Sequence, residues 1–129
     1  MKNLPENVRK LLDATALWVL TTSDEEPNGA PIFFKKIDEQ GNLVMFDLFM
    51  NKTKQNVCKN GKGTVVVYNS ETLEGYQIKG TASYVTDEAL VAEGNVVASR
   101  MGVPVVGAVV VKPETIVVQT PGGENGKLL

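Results

Sequence analysis

The sequence contains no histidine, and this absence excludes several kinds of chemistry. Without imidazole there is no Ser-His or Cys-His nucleophile, no histidine metal ligand and no histidine acid or base. Only one cysteine is present, Cys58, so no internal disulfide can form. A lone helical cysteine is more typical of a small buried side chain than of a reactive thiol, although both roles stay open. Redox chemistry is therefore expected to depend on a cofactor, with no metal site.

A strong charge of one sign and long apolar runs are also missing. Thirteen Lys and Arg residues against 15 Asp and Glu residues give a formal net charge of −2. This balance does not favour a nucleic acid or a membrane surface as a partner. No apolar run approaches the roughly 18 residues that a membrane-spanning helix needs, and the N-terminal stretch has no apolar signal core. With its single cysteine, the chain is expected to be cytoplasmic.

Enough apolar sequence is present for one core. The 129 residues are 43% hydrophobic, which predicts a single domain over residues 1–129. The patterning predicts helices over 4–15, 51–60 and 86–100, and strands over 16–23, 30–37, 43–49, 64–70, 76–85, 103–112 and 114–120. The first three strands are expected to form an antiparallel meander, and Gly80 invites a bulge in a later hairpin. Many short strands and few helices favour a small β-barrel.

Several predicted strands are apolar on both faces. The runs TVVVY (64–68) and VVGAVVV (105–111) do not alternate between apolar and polar residues. In a chain of this size, a sheet buried on both sides needs cover from helices or from a second subunit. The sequence therefore predicts a homodimer.

The stretch 50–63, MNKTKQNVCKNGKG, predicts a short helix with positive charge at its unfavourable end. Asn51 is a candidate N-cap, and Lys52 and Lys54 fall in the first turn. Each cation there costs roughly 0.3 to 1 kcal/mol unless something compensates it. A bound phosphate would do so by accepting hydrogen bonds from the first-turn amides, the Thr53 hydroxyl and the Lys52 ammonium. The alternative is a solvated helix end whose lysines keep the protein soluble.

Four segments in a fixed order resemble a known family. They are LVMFDLF (43–49), NKTKQNV (51–57), the apolar strand that follows, and GYQIKGTASYVTD (75–87). Their order and spacing are similar to those of the FMN-binding split barrels of the pyridoxamine 5′-phosphate oxidase-like superfamily, in particular the small stand-alone flavin-binding proteins. The likeness extends over about residues 14–120. It implies a mainly β fold, an antiparallel split barrel of six or seven strands with two or three short helices.

The resemblance implies that FMN is the cofactor, with its phosphate at the start of the 51–60 helix and its ring beside the 43–49 strand. Lys35 matches a family position that is often basic. The candidate cofactor-binding residues are Pro31, Phe33, Lys35, Phe46, Asp47, Leu48, Asn51, Lys52, Thr53 and Asn56. From the residues alone other roles stay open, since Phe33 and Phe46 suit a β-core and Asp47 suits a turn.

Alternation along PIFFKK adds a prediction about orientation. It places Pro31, Phe33 and Lys35 on one strand face, which the resemblance directs toward the flavin, with Ile32 and Phe34 on the other. Dimers of this family bind flavin at the subunit interface. The resemblance therefore implies a homodimer in which a second chain completes the pocket. Trp18 and residues 100–106 are the expected contributors, although Trp18 equally suits a core.

The chain departs from the vitamin-processing oxidases of this superfamily. They carry extra arginines, including a basic residue where this chain has Ala30, whereas Arg9 and Arg100 are the only arginines here and match no motif. Oxidation of pyridoxamine phosphate is therefore not expected, because its anionic substrate would lack a partner. No catalytic side chain is assigned.

Three functions remain open. The first is a flavin-dependent oxidoreductase with an unidentified small substrate and a transient nicotinamide or redox-protein donor. The second is an FMN-binding electron carrier without a substrate of its own. The third is a split-barrel module for another phosphorylated ligand, such as a heme-related or deazaflavin cofactor.

Overall fold

A computed structural model describes residues 3–129, which form seven strands and three short α-helices. The helices are α1 (Glu6–Ala14), α2 (Lys52–Asn60) and α3 (Glu88–Val97), and a 3-10 turn follows at Ser99–Met101. The strands are β1 (Trp18–Ser23), β2 (Pro27–Ile32), β3 (Lys35–Ile37), β4 (Leu43–Asp47), β5 (Lys62–Tyr68), β6 (Gly75–Val85) and β7 (Gly107–Val118). The predicted mainly β class is confirmed. No helix in residues 3–129 is both long and apolar enough to cross a lipid bilayer.

The strands form one antiparallel sheet in the order β2-β1-β5-β6-β7-β4-β3. The two edge strands, β2 and β3, are consecutive in the chain and only Phe33 and Phe34 separate them. A sheet whose opposite edges are joined by two residues has to curl, since each residue spans at most about 3.6 Å. The N–H of Phe46 donates to the carbonyl of Phe34 across 3.0 Å, which ties this link to β4. The predicted antiparallel split barrel is therefore confirmed.

The predicted meander is wrong because residues 30–37 do not form one strand. Their first part pairs with β1 and their last part pairs with β4, at opposite edges of the sheet. The break at Phe33–Phe34 also shifts the alternation of side chains. Lys35 pairs with the core residue Met45 and lies on its face, whereas Pro31 and Phe33 are exposed on the other side. The predicted common face of Pro31, Phe33 and Lys35 is thus wrong.

Two further boundaries differ from the prediction. The two strands predicted over 103–112 and 114–120 are one strand, β7, because Pro113 still pairs with Gly80. The register shifts there, since Lys79 pairs with Thr115 and Glu114 of β7 is the extra residue. Proline lacks an N–H group and is tolerated in a sheet at such a bulge, which confirms the one predicted at Gly80. The third helix begins after Asp87, whose carboxylate caps the Leu90 N–H, and its α-helical part ends at Val97 rather than at residue 100.

The apolar side chains divide into an inner and an outer core. The inner core fills the barrel with residues from β1, β4, β5, β6 and β7, and α1 packs against it. The outer core lies between β4, the start of β7 and the region of α3. Strand β4 is buried on both faces. It contributes Leu43 and Met45 to the inner core, and Val44 and Phe46 to the outer core. Helical cover within the chain therefore accounts for part of the doubly apolar sheet.

Trp18 belongs to the inner core. Its ring is 1% exposed, and its Nε1 donates to the carbonyl of Leu12 across 3.0 Å. A buried indole needs such an acceptor for its N–H. The expectation that Trp18 reaches the pocket of a second subunit is therefore wrong.

Candidate functional site

The connection from β4 to α2 is fixed by the buried carboxylate of Asp47. One oxygen accepts from the Met50 N–H across 2.7 Å, and the other accepts from the Tyr84 hydroxyl across 2.5 Å. The first bond turns the chain at the end of β4 and brings it to the start of α2. A Cβ atom at Gly107 would lie 2.5 Å from the Tyr84 oxygen, so the glycine leaves room for this pair. Asp47 therefore holds the walls of the site in place.

An apolar groove of about 300 Å³ lies between the end of β2 and this connection. Its floor includes Phe46, which also packs in the outer core, and Thr53 from the first turn of α2 lies at its border. The lining residues are Ala30, Pro31, Ile32, Phe33, Phe34, Phe46, Leu48, Phe49, Met50, Thr53 and Met101. No ionisable side chain is among them. Such a groove suits a flat aromatic group, with polar contacts supplied at one end by α2.

The first turn of α2 offers hydrogen-bond donors. The Asn51 side chain makes no capping bond, and the helix has no acidic residue in its first turn. The first amides of a helix have no partner within it, so they remain available to an acceptor. Thr53 is buried and its hydroxyl oxygen accepts from the Asn28 amide across 2.9 Å, which leaves the hydroxyl proton free to be donated.

A polar network beneath α2 holds Thr53. The Asn28 amide also reaches the Thr22 hydroxyl at 3.2 Å, and the Asn56 amide donates to the same hydroxyl at 3.1 Å. Asn56 is 1% exposed, and its carbonyl oxygen has no donor among the described residues. Because buried amides need their hydrogen bonds, the network fixes α2 against β1 and β2.

The Lys52 ammonium is partnered within the chain. It lies 3.7 Å from a carboxylate oxygen of Asp24, in the connection from β1 to β2, and Lys59 lies 2.7 Å from the other oxygen. The hydrogen bond from Lys59 is the main cause that lowers the pKa of Asp24, with Lys52 adding to it. Lys52 and Lys59 thus share a counter-ion that is distant in sequence.

A second, polar cleft lies on the other side of residues 48–50. Asp47, Asn51, Gln55 and Cys58 line it, together with Lys54, whose ammonium lies 4.5 Å from the centre of the Tyr84 ring. The Cys58 side chain is exposed, so the interpretation as a buried core thiol is wrong. The Lys54 ammonium thus has an aromatic partner within the chain.

The structure brings about half of the candidate residues to the groove. Pro31, Phe33, Phe46, Leu48 and Thr53 line it. Asp47 and Asn51 line the neighbouring cleft, Lys52 lies beside Asp24, and Asn56 is buried below α2.

Lys35 is set apart from the groove. Its ammonium lies 5.3 Å from the centre of the Trp18 ring, and burial lowers its pKa. It packs with the inner-core face, on the other side of the sheet from Pro31 and Phe33.

Several residues at the site have no local signal in the sequence. Asp24 and Asn28 lie in a segment whose DEEPNG pattern is typical of a turn, and Tyr84 lies near the end of the long strand β6. Ile32 and Phe34 line the groove although alternation assigned them to the opposite face. Their roles depend on which strands become neighbours, which only the closed sheet defines.

Solved structures share this fold. HupZ of Group A Streptococcus superposes with a TM-score of 0.79 at 25% identity, over 95% of this chain and 99% of that chain. An FMN-binding protein from Syntrophomonas wolfei superposes with a TM-score of 0.74 at 19% identity, over 85% of this chain and 82% of that chain. The second likeness establishes the fold alone.

Sequence comparison gives the family. An uncharacterized protein of Methanocaldococcus jannaschii, MJ0282, is 35% identical over 98% of this chain and 87% of its own length. The family model for pyridoxamine 5′-phosphate oxidase matches residues 4–122. A match over most of the chain, together with the closed seven-stranded sheet, establishes that this protein belongs to the pyridoxamine 5′-phosphate oxidase family.

Proposed function

We propose that this protein is an FMN-binding flavoprotein and that the apolar groove holds the flavin ring. The observation that carries the proposal is the position of Thr53, which borders an apolar groove and also belongs to the first turn of α2. An FMN molecule needs both features, apolar walls for its ring and donors for its phosphate. A relative by fold is called an FMN-binding protein, which agrees with this assignment.

The residues of this chain would divide the work of binding. The first-turn amides, the Thr53 hydroxyl and Lys52 would hold the phosphate, because donors at a helix start favour an anion. The aromatic and aliphatic side chains of the groove would orient the ring and exclude water from it. When bound, FMN supplies the electron and hydride transfer that no side chain here can perform.

We further propose that the flavoprotein acts as an oxidoreductase on a small substrate. The second candidate is an electron carrier, and a specific observation favours it: the groove lining contains no ionisable side chain that could act as acid or base. Steady consumption of NADH or NADPH with turnover of an added acceptor would select the oxidoreductase. Reduction of the bound flavin once, with no further consumption of NADH or NADPH for any acceptor in a panel, would select the carrier.

A second copy of the chain is the proposed partner. Phe33, Phe49, Met101 and Val106 are 63%, 70%, 48% and 53% exposed, and all four border the groove or the neighbouring cleft. Apolar side chains grouped around a ligand groove are typical of a surface that another protein covers. A homodimer would bury them and complete the flavin pocket.

Flavin content tests the proposed function directly. The purified protein is expected to be yellow and to release one FMN per chain on denaturation. Lys52→Ala with Thr53→Ala is expected to lower FMN retention at least tenfold, since both side-chain partners of the phosphate are lost and only the first-turn amides remain, while circular dichroism stays unchanged. Absorption of the desalted protein measures the bound flavin.

Thr81→Ala with Lys112→Ala is the matched control. This pair removes the same two chemical groups from exposed, facing positions on β6 and β7 and is expected to keep its FMN. A colourless protein that takes up no added FMN would contradict the proposal and favour a module for another phosphorylated ligand.

A further inference from the structure

Asp24 forms an ion pair with Lys52, the cation that is proposed to bind the phosphate. Asp24 lies between the ammonium groups of Lys52, at 3.7 Å, and Lys59, at 2.7 Å. Its side chain is 26% exposed, less than either lysine, at 52% and 64%. The carboxylate thus contacts both cations at the surface of the protein.

The geometry draws Lys52 away from the helix start. Lys52 and Lys59 are seven residues apart, which is close to two full turns, so both project from the same side of α2. The carbonyl of Ser23 accepts from the Asn60 amide across 2.6 Å, so the neighbouring Asp24 lies beside the C-terminal half of α2. Lys52 in the first turn extends toward this carboxylate, which it shares with Lys59. The first-turn amides lie at the opposite end of the helix.

We propose that Asp24 competes with the cofactor phosphate for Lys52 and thereby sets how strongly the protein prefers FMN to unphosphorylated flavin. This inference rests on the proposed FMN site. Binding of the phosphate exchanges one anion for another at Lys52. Asp24 keeps its bond to Lys59 throughout, so the exchange does not strand an unpaired carboxylate. The site then holds FMN less tightly than its donors alone would permit, which suits a flavin that is exchanged.

The alternative is that Asp24 assists phosphate binding instead of competing with it. If Asp24 positioned Lys52 for the phosphate, its removal would weaken FMN binding. Competition predicts the reverse sign, because a neutral side chain at position 24 frees the ammonium. Under competition, the effect of the substitution on FMN affinity also requires the phosphate and Lys52. A change in the shape of the groove would instead affect FMN and riboflavin alike.

Asp24→Asn is the test, because it keeps the shape of the side chain and removes its charge. Protein freed of flavin is titrated with FMN and with riboflavin, and binding is followed by quenching of flavin fluorescence at low salt. Asp24→Asn is expected to raise the affinity for FMN roughly two- to fivefold, the range typical of exposed ion pairs, and to leave that for riboflavin unchanged. Higher salt should reduce the difference.

Glu25→Gln is the matched control. It removes the same charge from the next residue, which forms no ion pair within the described residues 3–129. It is expected to change FMN affinity less than Asp24→Asn does. An equal increase in both variants would overturn the proposal, since net charge would then explain the result.

A second pair of variants tests whether Lys52 mediates the effect. In a Lys52→Met background, Asp24→Asn is expected to lose most of its benefit. A full benefit there, or weaker FMN binding by Asp24→Asn alone, would overturn the competition. Wild-type protein that binds riboflavin and FMN equally would overturn it too, whereas failure to bind either flavin would overturn the proposed function itself.

Discussion

Asp47 is a buried carboxylate whose hydrogen bonds lie within the chain. Both oxygens accept from protein donors, the Met50 N–H and the Tyr84 hydroxyl. This arrangement agrees with the turn-forming role that its position at a strand end suggested. Its contribution to the proposed flavin site is indirect, because it holds the residues that line the groove in place.

Tyr84→Phe is expected to lower the free energy of unfolding by about 1 to 3 kcal/mol, because it removes a donor from a buried carboxylate. Thermal and urea denaturation at pH 7 measure the loss. Tyr68→Phe is the control, since Tyr68 is 52% exposed and is expected to be neutral. Equal stability of the two variants would show that the hydroxyl of Tyr84 contributes nothing.

The hydrogen bond between Tyr84 and Asp47 also predicts a response to alkaline pH. Burial, and next the hydrogen bond to Asp47, raise the pKa of Tyr84 above its ordinary value of 10.0. A group whose pKa is raised by folding contributes its full stability below the unfolded pKa and loses it as the pH rises through the folded one. The wild-type protein should therefore lose stability above about pH 10 more steeply than Tyr84→Phe does. Denaturation midpoints between pH 8 and 11 measure the two slopes, and parallel slopes would contradict this account.

Helix α3 packs closely against the floor of the groove at Gly94. Gly94 is buried against the Phe46 ring, and a Cβ atom there would lie 2.5 Å from its Cδ1. The sequence pattern marks this glycine only as a weak point in a helix. In the structure it permits the close approach of α3 to β4, on which the outer core and the floor of the groove depend.

Gly94→Ala sets two effects against each other. Helix propensity predicts a gain of about 1 kcal/mol, whereas overpacking against a buried ring costs about 1 to 3 kcal/mol. Because Phe46 is 3% exposed and has little room to move, the loss should prevail. Thermal denaturation should show a lower midpoint, and flavin binding should weaken. Val96→Ala, at a site 76% exposed on the same helix, should change neither, and a stabilised Gly94→Ala protein would contradict the packing argument.

The exposed apolar side chains around the groove are the basis for the proposed homodimer. Val106 is 53% exposed and lines the cleft next to the groove without lining the groove itself. Val106→Glu is expected to convert the proposed homodimer into a monomer and to lower flavin retention, because a charge cannot be buried there unpaired. Sedimentation velocity measures the mass.

Leu73→Glu is the control for this substitution. Leu73 is 56% exposed and lies between β5 and β6, and its variant is expected to remain dimeric. A wild-type protein that is monomeric at micromolar concentration, or a dimeric Val106→Glu variant, would contradict the proposed interface.

The sequence by itself determined the class of the fold and most of its elements, since apolar periodicity, turn residues and helix caps act over a few neighbouring positions. It also identified the start of α2 as unusual, because two lysines in a first turn are recognisable without any structure. Tertiary structure decided which residues meet there. The curled sheet splits residues 30–37 between two edges, turns Lys35 toward Trp18, and brings Asp24 from the β1–β2 connection to Lys52. Local patterns carry no information on such contacts, because electrostatic and packing energies depend on distance in space and not on separation along the chain.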